Sequence, residues 1–219
     1  MVEPTIDPQL VLAASQGVRE RVIALVRDLD AEAAATVVPT CPEWTVTDLL
    51  CHLRGAEGDI ASGRVEGAAS DAWTASQVER HGGKDVATLC AEWAEGADRF
   101  DAVLLAIPEP INLQIVMDRT THEHDLRLAL GAPGARDDDA VRIGSTFFLM
   151  GLRRSEPLLA EQIEALGISD FELFRSLSGR RSLAQMTAAG LPAEALAARM
   201  ATSPVPVPSY DVHEGPDLP

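Results

Sequence analysis

Apolar residues recur along most of this chain at the three- and four-residue intervals of an α-helix, and no long stretch alternates as a half-buried strand does. Leu10, Val11, Ala14, Val18, Val22, Leu25, Val26 and Leu29 mark a first helix over 8–36. Pro39 and Pro42 stop it and predict a loop from Val38 to Trp44. Thr45 followed by Asp48 is a capping-box-like pair that opens a second helix, with Asp in place of the usual Glu or Gln. Val46, Leu49, Leu50, Leu53, Ala56 and Ile60 are its apolar stripe. The Gly-, Ala- and Ser-rich stretch from Gly63 to Gly83 predicts a loop with a short helix. A third helix is expected from Lys84 to Ala106, and a fourth from Ile111 to Leu130, ended by Gly131. Further helical segments follow at 138–166, 169–177, 181–190 and 192–201. The tail from Ser203 carries five prolines and reads as extended or disordered.

Four long amphipathic helices predict an all-α fold, a four-helix bundle with a helical C-terminal extension. The expected division is a bundle over 1–135, an extension packed on it over 136–202, and a Pro-rich tail over 203–219. Composition agrees. Of 219 residues 46% are hydrophobic but only 4% aromatic, so aliphatic side chains must fill the core. The formal net charge of −16 argues against nucleic acid and anionic membrane as partners. No secretory h-region or membrane-spanning run is evident, and Cys41, Cys51 and Cys90 form neither a disulfide framework nor a zinc-finger spacing. A reduced, cytoplasmic protein is expected.

The candidate chemistry lies on two of the predicted helices. His52 sits in the apolar stripe of the second. Asp118 and His122 are four residues apart on the fourth and therefore share a face. Two imidazoles and one carboxylate form a three-ligand set that leaves a position for water or substrate, the pattern of catalytic rather than structural zinc. Nickel, iron or manganese would also suit two nitrogens and one oxygen. Asp125, three residues past His122, shares its face and is a candidate either to orient the imidazole from behind or to pair with Arg127 or a backbone group. Asp48 imitates the pair by standing four residues before His52, but its capping role accounts for it. His124 points off the face. His81 and His213 read as solvated, and Cys41 and Cys51 as small buried hydrophobes.

The segment Cys41-Pro42-Glu43-Trp44-Thr45-Val46-Thr47-Asp48-Leu49-Leu50-Cys51-His52-Leu53 resembles the C-P-G-W-T-V-x-D-L-x-x-H-L signature of the mycothiol-dependent maleylpyruvate isomerase N-terminal family. That family is part of the DinB/YfiT-like superfamily of metal-binding four-helix bundles. Asp118 to Leu126 resembles its E-x-x-x-H-x-x-D-L stretch, with Asp118 where the family usually has Glu. The resemblance spans about residues 8 to 135. It implies His52, Asp118 and His122 as metal ligands and mycothiol as a thiol cosubstrate. The run from Phe171 to Gln185 is similar to a segment of actinobacterial relatives rather than to the C-terminal domain of the isomerase itself. Its Arg175, Arg180 and Arg181 form a basic cluster in an acidic protein. They are candidates for holding a substrate or thiol carboxylate, or alternatively for pairing acids of the protein itself.

The expected function is a metal-dependent, mycothiol-using transferase or isomerase acting on a small electrophile. The alternative is a non-catalytic metal-binding bundle, a sensor, binding or scaffold protein. Bundles of this kind pair through an outer helix face, so a homodimer is compatible with the sequence.

Overall fold

In the computed structural model, which describes residues 5–201 and 206–215, the chain folds into eleven α-helices and one small hairpin among those residues. The helices are α1 (Pro8–Val26), α2 (Ala31–Ala34), α3 (Val46–Ser62), α4 (Asp71–His81), α5 (Val86–Leu104), α6 (Ile111–Ala129), α7 (Asp139–Ser155), α8 (Pro157–Glu164), α9 (Asp170–Leu177), α10 (Leu183–Ala188) and α11 (Ala193–Met200). The antiparallel hairpin pairs β1 (Val37–Val38) with β2 (Cys41–Thr45). No helix among the described residues is long and apolar enough to cross a membrane.

α1, α3, α5 and α6 form the four-helix bundle. Its core is aliphatic, as the scarcity of aromatics requires: Val18, Val22, Leu49, Leu50, Leu89, Leu113, Val116 and Leu126 are all fully buried. α7 lies against α6 and α1, and α8 and α9 pack on α7. Leu152, Ala160, Ile163, Leu173, Met186 and Leu196 make a second core among the C-terminal helices.

Several boundaries differ from the sequence reading. The first helix stops at Val26, because the Asp30 side chain accepts from Ala33 N–H and starts α2 as a separate turn. The predicted loop at Val38–Trp44 is the hairpin. The segment 138–166 is two helices, broken at Glu156, which Pro157 holds out of the helical region. The Thr45/Asp48 capping box forms in full. In the tail, 206–215 runs without helix or strand but is fastened to the body by hydrogen bonds; 203–205 and 216–219 lie outside the described residues.

α4 approaches α3 closely because Gly55 has no side chain. A Cβ there would lie 2.7 Å from Gln77 Cβ, and Gln77 is fully buried. Gly55→Val should therefore push α4 off α3 and cost about 3 kcal/mol, the upper end for overpacking. Urea unfolding measures it, as a lower midpoint with an unchanged slope.

Candidate metal centre

α3 and α6 present His52, Asp118 and His122 to one another where the two helices pack. His52 Nε2 lies 3.6 Å from one Asp118 oxygen and His122 Nε2 lies 3.7 Å from the other. The imidazole rings meet edge to face at 5.1 Å between centroids. One potential ligand atom from each residue falls within a 4.8 Å set. Tetrahedral zinc, with bonds of about 2.1 Å, separates its ligand atoms by about 3.4 Å. The two nitrogen–oxygen gaps to Asp118 lie within a few tenths of an ångström of that spacing.

The far side of each ring is also fixed. His52 Nδ1 is 2.8 Å from Gln77 Oε1. The Gln77 amide cannot be reversed without loss, because its Nε2 donates to Asp59 Oδ2 at 3.2 Å. Asp59 is in turn held by Arg64 and Arg80. In the neutral ring His52 Nδ1 therefore carries the proton and Nε2 the lone pair. His122 Nδ1 is 3.2 Å from Asp125 Oδ2 and has the same assignment. In their neutral form both rings aim Nε2 lone pairs at the Asp118 carboxylate, the orientation that imidazole ligands are given by their outer partners.

The charges follow. Burial raises the Asp118 pKa, but when a proton occupies Nε2 in place of an ion, His52 donates to Asp118, and this bond with the charges of His122, His52 and Arg180 brings the value down to about 2. Burial lowers that of His52, yet the Asp118 hydrogen bond and charge and the Gln77 contact more than offset it. Asp118 is the open side of the set, with 45% of its side chain exposed against 4% for His52 and 12% for His122. Trp44, from β2, closes another side, its ring centroid 5.4 Å from His52 and 6.3 Å from His122.

Asp125 is completely buried on α6 and takes more than His122. Arg180 Nε and Nη2 donate to its two oxygens at 3.2 and 2.7 Å, and Arg175 Nη2 donates at 3.0 Å. Burial would raise its pKa, but these two guanidiniums hold it well below the usual carboxylate range. Cys41, His122 and Asp125 also fall within ligand distance of one another. Two guanidiniums on Asp125 disfavour a cation there, so this second triad is a support for the first. The Cys41 thiol points at Asp125 from 3.9 Å, and burial, then the Asp125 charge, pushes its pKa up to about 11.

The three C-terminal arginines converge here, and their guanidiniums are engaged by the protein's own groups. Arg175 and Arg180 grip Asp125, and Arg175 also pairs with Glu214; Arg181 pairs with Glu172 and Glu214. Arg180 also donates to Ser178 O and lies 3.7 Å from Cys41 Sγ.

Sequence reasoning missed Gln77 and Glu214, which reach the site only through tertiary packing. It also misplaced His81. Far from solvated, His81 ends α4 buried, with Nε2 2.9 Å from Arg54 Nη1, and burial, then the charges of Arg54, Lys84 and Arg80, lowers its pKa to about 4. His124 does turn away from the set, packing edge-on against Phe171.

A family model described as the mycothiol maleylpyruvate isomerase N-terminal domain matches residues 16–133. No curated protein and no solved structure matches the chain. The matched span holds both motif segments, the four bundle helices from the middle of α1 onward, and all of His52, Asp118, His122 and Asp125. Since that span is more than half of the sequence, the chain belongs to the mycothiol maleylpyruvate isomerase N-terminal domain family.

Proposed function

We infer that this protein is a metal-dependent enzyme that uses mycothiol in a transferase or isomerase reaction on a small electrophile. The observation that carries this reading is the pair of imidazoles whose Nδ1 positions are tied to fixed acceptors while both Nε2 atoms face one partly exposed carboxylate. His52, Asp118 and His122 would hold the metal, and family membership supports mycothiol as the thiol. A divalent ion, with zinc the first choice for this donor set and nickel, iron or manganese also accommodated, would supply the Lewis acidity that keeps a thiol ionised at neutral pH.

The chain's own residues have supporting parts. Gln77 and Asp125 retain the Nδ1 protons, so neither imidazole is free to shuttle a proton through that nitrogen. Trp44 keeps water from one flank of the rings. Asp118 marks the side from which thiol and electrophile can approach. The protein offers no ionised thiol of its own: burial raises Cys41, Cys51 and Cys90 each to about 11. A nucleophile brought from outside fits that chemistry.

Two measurements on the wild type test the reading. Plasma mass spectrometry should find about one divalent metal per chain, as an open three-ligand site requires. With mycothiol present, and not without it, the loaded protein should either convert a small α,β-unsaturated acid to its thiol adduct, consuming the thiol, or interconvert its cis and trans forms, returning the thiol by elimination. No metal after reconstitution would overturn the metal site, and a loaded protein that gives neither adduct nor isomerised acid would overturn the reaction class.

A further inference from the structure

The C-terminal segment lies far in sequence from α6, yet it ends against the network behind His122. Residues 206–215 cross the elbow between α9 and α10. Gln185 brackets the segment at Val212, donating from Nε2 to Val212 O at 2.8 Å and accepting from Val212 N–H at 3.0 Å. Val212 itself is buried, and Ser182 Oγ donates to Asp211 Oδ1. Two contacts then lead toward the metal centre. Tyr210 Oη donates to Pro39 O at 2.9 Å, at the turn of the hairpin whose second strand carries Cys41 and Trp44. Glu214, with a side chain only 7% exposed, places Oε1 2.6 Å from Arg175 Nη2 and Oε2 2.9 Å from Arg181 Nη2.

Arg175 is the shared element. Its Nη2 reaches Glu214 on one side and Asp125 Oδ1, at 3.0 Å, on the other, and Asp125 Oδ2 holds His122 Nδ1. The cluster is charge-balanced: Arg175, Arg180 and Arg181 face Asp125, Glu172 and Glu214. Without the Glu214 charge, Arg175 has Asp125 as its one charged partner among these contacts and is drawn harder onto it. Asp125 then has less to offer His122, because stronger donation into Oδ1 draws the shared carboxylate, and the electron density on Oδ2, toward Arg175.

We propose that segment 206–215 is a strap that controls the metal centre, with Glu214 as its latch and as a positioning residue for His122. Seated, the latch shares Arg175 between two carboxylates and leaves Asp125 Oδ2 to orient the imidazole. Released, it lets Arg175 draw Asp125 away and frees the hairpin that carries Trp44. The proposal rests on the metal-site reading above, and the experiment separates the two.

The probe is Co²⁺ alone, titrated into the metal-free full chain and followed by its visible d–d bands. Wild type, Glu214→Gln, Glu214→Asp and Tyr210→Phe are compared, with the exposed His213→Ala as a control from the same strap. Glu214→Gln should weaken Co²⁺ binding about tenfold and shift the bands, the lower end of what loss of an outer partner costs. Glu214→Asp should recover part of the loss, Tyr210→Phe should show a smaller effect of the same sign, and His213→Ala none. In parallel, ring ¹⁵N spectra of the metal-free proteins at one pH should show the His122 signals moved in Glu214→Gln while those of His81 stay in place. Unchanged Co²⁺ binding together with unchanged His122 signals would overturn the strap. If wild type takes up no Co²⁺, the metal reading fails, and the ring spectra alone decide whether the latch positions His122.

Discussion

His122→Ala should lose its metal, with an affinity more than about 100-fold below wild type, beyond what removing an outer partner costs. The reason is geometric. His52 and His122 approach the Asp118 carboxylate from opposite oxygens, so the alanine variant leaves one imidazole and one half-exposed carboxylate. Two ligands on two helices do not hold a divalent ion against water and a chelator. Competition with a colorimetric chelator reads the affinity directly. Trp44 gives a second signal, since its ring lies within stacking range of both imidazoles and bound Co²⁺ or Ni²⁺ should quench it. Trp44→Phe removes that quenching and so identifies the reporting ring among the three tryptophans. Asp118→Glu provides the contrast. It restores the residue usual at this position of the family motif, and the partial exposure of Asp118 leaves room for one more methylene, so the metal should be retained. If His122→Ala held metal as tightly as wild type, the ligand set would be wrong.

That these three residues come together was legible in the sequence because the signals that mark them are local. Asp118 and His122 share a face by helical periodicity, and the capped start at Thr45 fixes the phase of the stripe in which His52 falls. Fold class followed in the same way, from long apolar stripes punctuated by Pro and Gly. What escaped the reading depends on contacts between distant segments. The hairpin carries two prolines, Pro39 in its turn and Pro42 in β2, and its first strand is only two residues long, too little for an alternating pattern to show. Gln77 lies in a stretch rich in Gly, Ala and Ser, and nothing there indicates that Gly55 would admit it to the back of His52. His81 is buried for the same reason, since α4 docks on α3 at that point.

The arginine cluster was visible as a charge pattern, but its partners were not. An acidic chain offers many carboxylates, and only tertiary structure selects Asp125, Glu172 and Glu214 among them. The burial of α6 explains why. Arg119, Glu123 and Asp125 are buried on this helix, each matched by a charge from another element: Glu57 on α3, Arg21 on α1, Arg175 on α9. A helix that buries charge on more than one face has no clean apolar stripe, so its orientation is set by which ion pairs close.

Asp125→Asn should be the most destabilising of the conservative changes near the site, costing about 3–5 kcal/mol, because it strips the charge from a carboxylate shared by two buried guanidiniums. The side chain of Arg175 is fully buried and that of Arg180 only 11% exposed, so water cannot replace the lost partner. For a chain of this length the cost corresponds to about 10 °C in Tm. The pH dependence carries a sign that distinguishes a lost charge from lost packing. Burial raises the pKa of Asp125, but Arg180 and Arg175 outweigh it, so the folded value lies well below the unfolded one of about 3.9. The stabilisation is therefore fully present above about pH 4 and is lost as pH falls through the folded value. The gap between wild type and Asp125→Asn should stay constant from pH 5 to 8 and narrow progressively below about pH 4, where the unfolded carboxylate takes up its proton before the folded one does. A gap that persisted unchanged at the lowest pH, or no gap at pH 7, would contradict the assignment. The same variant separates stability from orientation. Asparagine keeps an oxygen that can accept from His122 Nδ1–H, whereas alanine does not, so Asp125→Ala should lose markedly more metal affinity than Asp125→Asn.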